Sequence, residues 1–394
     1  SRGAAWSTKI TFSTSTQYSY DDLQKKYNNF MVPAFEVKVG GTNIQKGSSY
    51  ISQLEIIIPV TVASEVRSIE MSECNFTISG IFDMKTSSFN SDVLDKLKIG
   101  AKVEVAGGYG SSLVVLFVGL LNHVRVSYGE GGVTIQVSAY DSTILLRNAK
   151  KFALYENEDK NALIKKILQG CAKDGLATIS DSNIGNFGGE KVRLEQAGLD
   201  DCEFITTLAR RERFSFAIIH GQVVLKNLVD EQKAIMKLTY GKNIFSFDIE
   251  LDTTKQVGKV VARSIHDVNR TGVEGSASSV SIKKSGGKAA IDFSSLKSKI
   301  SSNVIEYKDP LENTKEGLDK IAQAVMDERA MTFVSGHGMC IGLPELVPGR
   351  YIELDGMGKQ INGTYFITKV THRFGQDGFT TQFDVKGAYS KWES

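Results

Sequence analysis

The sequence predicts a mainly β protein with a smaller α+β part: two related small β-barrels flanking a small α+β module. Three observations carry this. The chain combines 37 Gly with 5 Pro and is rich in Val, Ile, Thr, Tyr and Phe, which favours strands joined by tight turns. Apolar residues alternate with period two through much of 35–140 and again after 340. A β segment that ends the first of these stretches recurs at the end of the chain.

In chain order, Phe35-Glu-Val-Lys-Val39 alternates, Gly40-Gly41 turns, and Leu54-Glu-Ile-Ile-Ile58 and Cys74-Asn-Phe-Thr-Ile78 follow as strands. Lys102-Val-Glu-Val105, a Gly107-Gly-Tyr-Gly110 turn, the apolar run 114–121, a Gly129-Glu-Gly-Gly132 turn and Val133-Thr-Ile-Gln-Val137 then read as a meander. Meanders of this kind usually close into small barrels. The period changes next. Leu163, Ile164, Ile167 and Leu168 share a helical face after a start near Asn157, with Gly170 and Gly175 at its end. Asp200 can cap a second helix whose stripe is Phe204, Ile205, Leu208 and Ala209, and Arg210, Arg211 and Arg213 collect where its dipole favours cations. Phe214-Ser-Phe-Ala-Ile218, His220-Gly-Gln and Val223-Val-Leu225 complete a hairpin.

Strand character resumes over 244–268. Residues 271–304 are dominated by Ser, Gly and Lys and read as a mobile loop or insertion. After Pro310, Asn313-Thr-Lys-Glu316 resembles a capping box before a stripe of Leu318, Ile321, Ala322, Val325 and Met326. The resulting division is an N-terminal extension (1–30), a first β-barrel (31–150), an α+β module (151–240), a second β-barrel (241–270 with 331–394), and a polar insertion and helix (271–330).

The repeat is the most informative feature. Gly100-Ala-Lys-Val-Glu-Val-Ala-Gly107 aligns without gaps to Gly349-Arg-Tyr-Ile-Glu-Leu-Asp-Gly356, and Gly129-Glu-Gly-Gly-Val-Thr-Ile-Gln-Val137 to Gly375-Gln-Asp-Gly-Phe-Thr-Thr-Gln-Phe383; the intervening segment is three residues shorter in the second copy. Glycines at hairpin corners can arise independently wherever φ must be positive, so two unrelated hairpins stay an alternative at this stage. Duplicated barrels have a geometric consequence. A trimer would place six similar domains about one axis, sixfold-like on one face and threefold overall.

The 394 residues carry Lys+Arg 47 against Asp+Glu 45, a net charge of +2. No global field recruits nucleic acid or an anionic membrane. The most apolar stretch, 113–121, is about half the roughly 18 residues of a membrane span. Residues 1–20 lack the order of a signal peptide, and Ser1 in place of an initiator Met reads as a trimmed start. Four widely spaced cysteines, 74, 171, 202 and 340, fit reduced, buried thiols and cytoplasmic synthesis.

Catalytic motifs are absent: no GxxxxGK[ST], HExxH, GxSxG or CxxC occurs. Gly336-His-Gly-Met-Cys-Ile-Gly342 has the wrong spacing for a dinucleotide loop. His337, Cys340 and His372 make a weak metal pattern and read better as a turn with a buried thiol and a strand histidine. Asp200-Asp201 and Glu156 with Glu158 sit where carboxylates compensate helix dipoles. Arg210-Arg-Glu-Arg213 reads as a solvated helix end, with an acidic partner as the alternative. Lys283, Lys284 and Lys288 lack the interleaved aromatics of a nucleic-acid groove.

Gly342-Leu-Pro-Glu-Leu-Val-Pro-Gly-Arg350, Gly363-Thr-Tyr-Phe-Ile-Thr-Lys-Val-Thr-His372 and Gly378-Phe-Thr-Thr resemble the C-terminal signature of phage late control protein D and of the N-terminal half of VgrG proteins. Phe204-Ile-Thr-Thr-Leu-Ala-Arg-Arg-Glu-Arg-Phe-Ser-Phe216 is similar to the same family's helix-then-hairpin element. The resemblance spans about 30–390. It implies the non-enzymatic central hub of a contractile injection machine, such as a phage tail, a tailocin or a type VI secretion apparatus. In such a machine a homotrimer forms a pseudo-sixfold ring between a hexameric tail tube and a trimeric puncturing spike, with other baseplate proteins as partners. It brings no catalytic residue, cofactor or metal, no nucleic-acid partner and no membrane span. VgrG proteins continue into a further barrel and a spike β-helix, whereas this sequence stops at Trp392-Glu-Ser394, which suits a hub with a separate spike or an excised hub region. On this reading Val103, Val105, Ile352 and Leu354 contribute to the subunit or tube interface, and Ile352→Asp disrupts the trimer while leaving soluble protein. Rival readings are a carbohydrate-binding module, which needs an aromatic platform although Trp6 and Trp392 are the only two tryptophans, and a wall-degrading enzyme, which needs a carboxylate pair or metal triad.

Overall fold

A computed structural model describes residues 9–44, 50–62, 69–265, 272–309 and 311–393. Trp6 and Pro310 lie outside the described residues. The chain is mostly β, and its largest element is a sheet of thirteen strands.

The first part of this sheet contains β1 (Pro33–Val39), β2 (Ile51–Pro59), β3 (Glu73–Ser79), β4 (Lys102–Tyr109), β5 (Ser112–Gly129) and β6 (Gly132–Tyr140). In β3 the period of two is clean: Cys74, Phe76 and Ile78 are buried and the residues between them half-buried. The first half of β5, by contrast, is apolar on both faces and buried on both, from Val114 to Gly119. The second part contains β12 (Ala234–Thr239), β13 (Ser246–Leu251), β17 (Val334–Ile341), β18 (Tyr351–Asp355), β19 (Gly363–Gly375) and β20 (Gly378–Gly387). The path is β13-β17-β20-β19-β2-β3-β6-β5-β4-β1, with β18 on β19, β12 on β18, and a two-residue strand beyond β1. The order is open at both ends, and neither part is a closed barrel among the described residues.

The sequence repeat reappears as an identity of register. Lys102 pairs with Leu120 where Tyr351 pairs with Phe366, and Val137 with Val124 where Phe383 pairs with Val370. Both copies carry a bulge at the same place, between Ser138 and Ala139 opposite β5 and between Ile367 and Lys369 opposite β20. Gly100 and Gly349 enter the copies at φ 85° and 79°, and Gly132 and Gly378 turn them at 109° and 91°. Those backbones suit glycine. A bulge is a specific backbone feature, so its coincidence removes the alternative of two unrelated hairpins.

Between the two parts lie β7 (Lys151–Asp159), α2 (Lys160–Leu168), β8 (Thr178–Ile184), β9 (Lys191–Leu199), α3 (Asp201–Arg211), β10 (Ser215–Ile219) and β11 (Gln222–Lys226), after the N-terminal helix α1 (Tyr20–Lys26). They share a core that includes Ile164, Leu168, Phe204, Ile205, Phe216 and Leu225. Asp200 and Glu203 form the full capping box of α3. α2 starts later than its pattern implied: Asp159 is the cap, and Asn157 belongs to β7 at φ 56°.

Residues 257–331 correct the expectation of a mobile loop. They form β14 (Lys259–Ser264), β15 (Glu274–Ala277), α4 (Ser294–Ile300), β16 (Val304–Asp309) and α5 (Lys315–Met331). A third core of Val257, Val260, Ala262, Ala277, Leu318, Ile321, Val325 and Met326 joins β14 and β15 to α5, while Ile282, Ala290, Phe293 and Leu296 pack with the main core. The apolar side chains of 271–304 are few and their partners distant in sequence: Ala277 shares a core with Leu318 and Ile321 on α5, and Phe293 lies against Phe333. Thr314 rather than Asn313 caps α5, bonding to the amide of Gly317.

The arginines at the end of α3 are likewise not a solvated end. Arg211 reaches Glu312 at 2.7 Å, Arg213 reaches Asp230 at 2.9 Å and Asp327 at 3.0 Å, and buried Arg210 lies 3.8 Å from buried Asp309. Burial raises the Asp309 carboxyl pKa, and Arg210 partly offsets this. The cluster fastens the end of α3 to α5, to the residues just before it and to Asp230, which accounts for four consecutive charged residues that composition alone assigns to solvent.

Candidate assembly interface

The two repeats meet through β2 and β19. Pro59 pairs with Lys369 and Leu54 with Phe374 in one antiparallel ladder, in which Leu54, Ile56 and Ile58 oppose Phe374, His372 and Val370. All six side chains are buried. On the opposite face Arg373 reaches Glu55 at 2.6 Å. β19 serves two neighbours along one edge, β18 beside Gly363–Phe366 and β2 beside Lys369–Phe374. The bulge before Lys369 bends the strand between them. Sequence reasoning missed this junction. Its signal was the unbroken run Ile56-Ile-Ile58-Pro-Val60, which fits a strand covered on both faces better than a one-sided alternation.

His372 belongs to the junction core. Its Nδ1 lies 2.9 Å from Thr381 Oγ1, and its ring is 5.7 Å from that of Phe379. Burial, with nearby His220, lowers its pKa to about 3, so it is neutral. Cys340 is buried on β17, and His337 pairs with Asp384 at 2.5 Å, its cross-strand neighbour. These three residues are therefore committed to separate structural contacts, and no group of three or more His, Cys, Asp or Glu is placed for a metal among the described residues. Asp201 is held by Asn148, Lys151 and Gln196, Asp200 by its cap, and Glu156 is exposed opposite Arg193. Lys283, Lys284 and Lys288 are exposed. A cleft of about 570 Å³ opens beside β13, with Asp248, Glu250, His337, Asp384 and Lys386 on its walls.

Val103 and Val105 on β4 and Ile352 and Leu354 on β18 are buried inside the chain's own core. They occupy equivalent places in the two repeats, Val103 opposite Gly119 and Ile352 opposite Tyr365.

The signature 342–350 also has a structural account. Arg350, 1% exposed, donates to the carbonyls of Ser13 (2.7 Å), Thr16 (2.6 Å) and Lys233 (3.2 Å). Glu345 accepts from Tyr27 at 2.6 Å and Lys26 at 3.0 Å, and Tyr109 donates to the Gly342 carbonyl at 2.7 Å. The motif thus holds the N-terminal extension across both repeats.

Residues 31–376 match a family described as the Alg8 N-terminal domain. The chain belongs to this family. The description of the Alg8 N-terminal domain names no activity, and no curated protein matches the chain. Among solved structures, the fold of this Alg8 N-terminal domain member resembles a 43 kDa tail protein of prophage MuSo2 from Shewanella oneidensis, at 14% identity over 90% of this chain and 98% of that one, with a TM-score of 0.65. A tail protein from Neisseria meningitidis MC58 matches at 13% identity over 90% and 96% of the two chains, with a TM-score of 0.60. A chain of the lidded Francisella PdpA-VgrG complex matches at 11% identity over 93% of this chain and 54% of that one, with a TM-score of 0.50. The likeness is one of fold. No catalytic family is indicated, and no helix among the described residues is long and apolar enough to cross a membrane.

Proposed function

We propose that this chain is the structural hub of a contractile injection machine. Three copies form a ring of six β units that adapts a hexameric tail tube to a trimeric spike, and the chain works by geometry rather than by catalysis. The observation that carries the reading is the pair of register-identical β units in one chain, because a threefold assembly of such chains presents six equivalent surfaces. The tail proteins and the VgrG complex that share its fold support the setting. In this reading the first β unit (31–150) and the second (241–270 with 331–394) are half-open barrels completed by assembly. The α+β module (151–240) and the segment 271–330 brace them from outside. Val103, Val105, Ile352 and Leu354 act from within, keeping β4 and β18 at the spacing the ring requires.

The test is the native mass of the purified chain at micromolar concentration. A mass near three times 43.1 kDa is expected, with averaged particle images sixfold-like on one face and threefold on the other. A single-chain mass at every concentration refutes the ring.

A further inference from the structure

The internal repeat also specifies how one copy meets the next. In the second unit, the half of β19 after its bulge is covered by β2. The corresponding half of β5, residues 123–128, pairs on one edge with β6, and no strand covers its other edge among the described residues. The counterpart of β2 is β13, since Leu54 stands opposite Phe76 as Phe247 stands opposite Gly338 in the matching ladders. β13 ends the sheet, and its outer edge is also uncovered among the described residues. Each unit therefore has one such edge of each kind. Inside the chain, one pair of edges is joined, and one pair is left over.

We infer that β13 of one copy adds antiparallel to the free edge of β5 in a second copy of this chain, in the register that β2 and β19 already use. Carrying that register across places Phe247 opposite Tyr128, Ile249 opposite Val126 and Leu251 opposite Val124. On the other face it places Asp248 opposite Ser127, Glu250 opposite Arg125 and Asp252 opposite His123. The chemistry fits at each position. Phe247, Ile249, Leu251 and Val124 are only partly buried, Val126 is 38% and Tyr128 68% exposed, whereas their intramolecular equivalents are buried. Arg125 and His123 are exposed on an edge that receives only Asp248, Glu250 and Asp252. The ion pair of the intramolecular junction, Arg373 with Glu55, has its counterpart two residues along, in Arg125 with Glu250. Opposite charges across a strand pair stabilise it, and a one-residue slip would set the apolar face of one strand against the charged face of the other. An exposed strand edge with a complementary charge pattern is a template for pairing with another chain, and because the joined surfaces differ the contact runs head to tail, the kind of contact that a threefold rotation between copies closes into the proposed ring.

This inference rests on the proposed ring, and the experiment separates the two. Ser127→Cys combined with Asp248→Cys puts thiols opposite each other at a pair of the closely spaced kind, within disulfide reach; the four native cysteines are buried. After mild oxidation, denaturing gels of the double variant are expected to show covalent dimers and trimers, and each single cysteine variant is expected to show no covalent trimer. Ser127→Cys with Glu250→Cys, two residues out of register, is expected to link at least about tenfold more slowly. In parallel, Arg125→Glu is expected to weaken assembly by at least about tenfold and Glu250→Arg in the same chain to restore it. Trimers by native mass without specific links, and without charge rescue, leave the ring standing and overturn the strand pairing. A monomer in every variant overturns both.

Discussion

Replacing Arg350 by Met tests whether the signature 342–350 works by holding the N-terminal extension. Methionine keeps the unbranched apolar stem but is shorter and has no donor. Two of its bonds, at 2.7 and 2.6 Å to the Ser13 and Thr16 carbonyls, are short, and charge-assisted bonds of this kind contribute about 1.5 kcal/mol or more each. The longer bond to Lys233 adds less. The expected loss is about 3 kcal/mol, a large part of a total stability of about 5–15 kcal/mol. Burial lowers the guanidinium pKa to about 10, so it is still a cation at neutral pH and this loss applies there. Urea unfolding followed by circular dichroism measures the change. Limited proteolysis checks its location, because 9–18 should become cleavable before the sheet does. Arg350→Lys should recover less than half, since one ammonium cannot reproduce a planar fork between separated carbonyls. An unfolding midpoint within about 0.5 kcal/mol of the parent, with 9–18 still protected, would refute the assignment.

Two further outcomes follow from burial. Ile352→Asp puts a carboxylate where the parent side chain is fully buried, between Met236 and Tyr365 as strand neighbours; the expected result is loss of folding of the second β unit, read by circular dichroism, rather than clean dissociation of a trimer. His372→Gln should flatten the acid side of the stability curve. The folded pKa of His372 is about 3 and that of His220 about 4, both held down by burial below the ordinary 6.5. Their contribution is complete above about pH 6.5 and is lost as pH falls, because the unfolded chain takes up the protons. Asp141, whose pKa burial raises to about 6, works the other way in the same window. Removing His372 should therefore reduce the pH dependence between about 6 and 4 by one proton, about 1.4 kcal/mol per pH unit, as read by unfolding midpoints across that range; an unchanged slope would mean that His372 is charged in the folded state.

The sequence alone determined the local elements and the repeat. Alternation in Cys74–Ile78, the Asp200–Glu203 cap and the glycines at 100, 132, 349 and 378 act over a few residues, where propensity and turn chemistry decide the backbone. Tertiary structure decided the rest. Nothing in residues 51–59 names 369–374 as their neighbour, since a strand's pattern records which face is buried but not which strand lies beside it. The same limit applies to 271–304, whose partners lie on α5 and in the main core, and to the α3 arginines, whose partners include Glu312 and Asp327, all distant in sequence. Apolar character likewise marks Val103, Val105, Ile352 and Leu354 without telling which surface they serve; the structure places them in the chain's own core, and among the described residues it leaves His123–Tyr128 and Ser246–Leu251 with one strand edge uncovered, mixed in polarity because each keeps one face toward water.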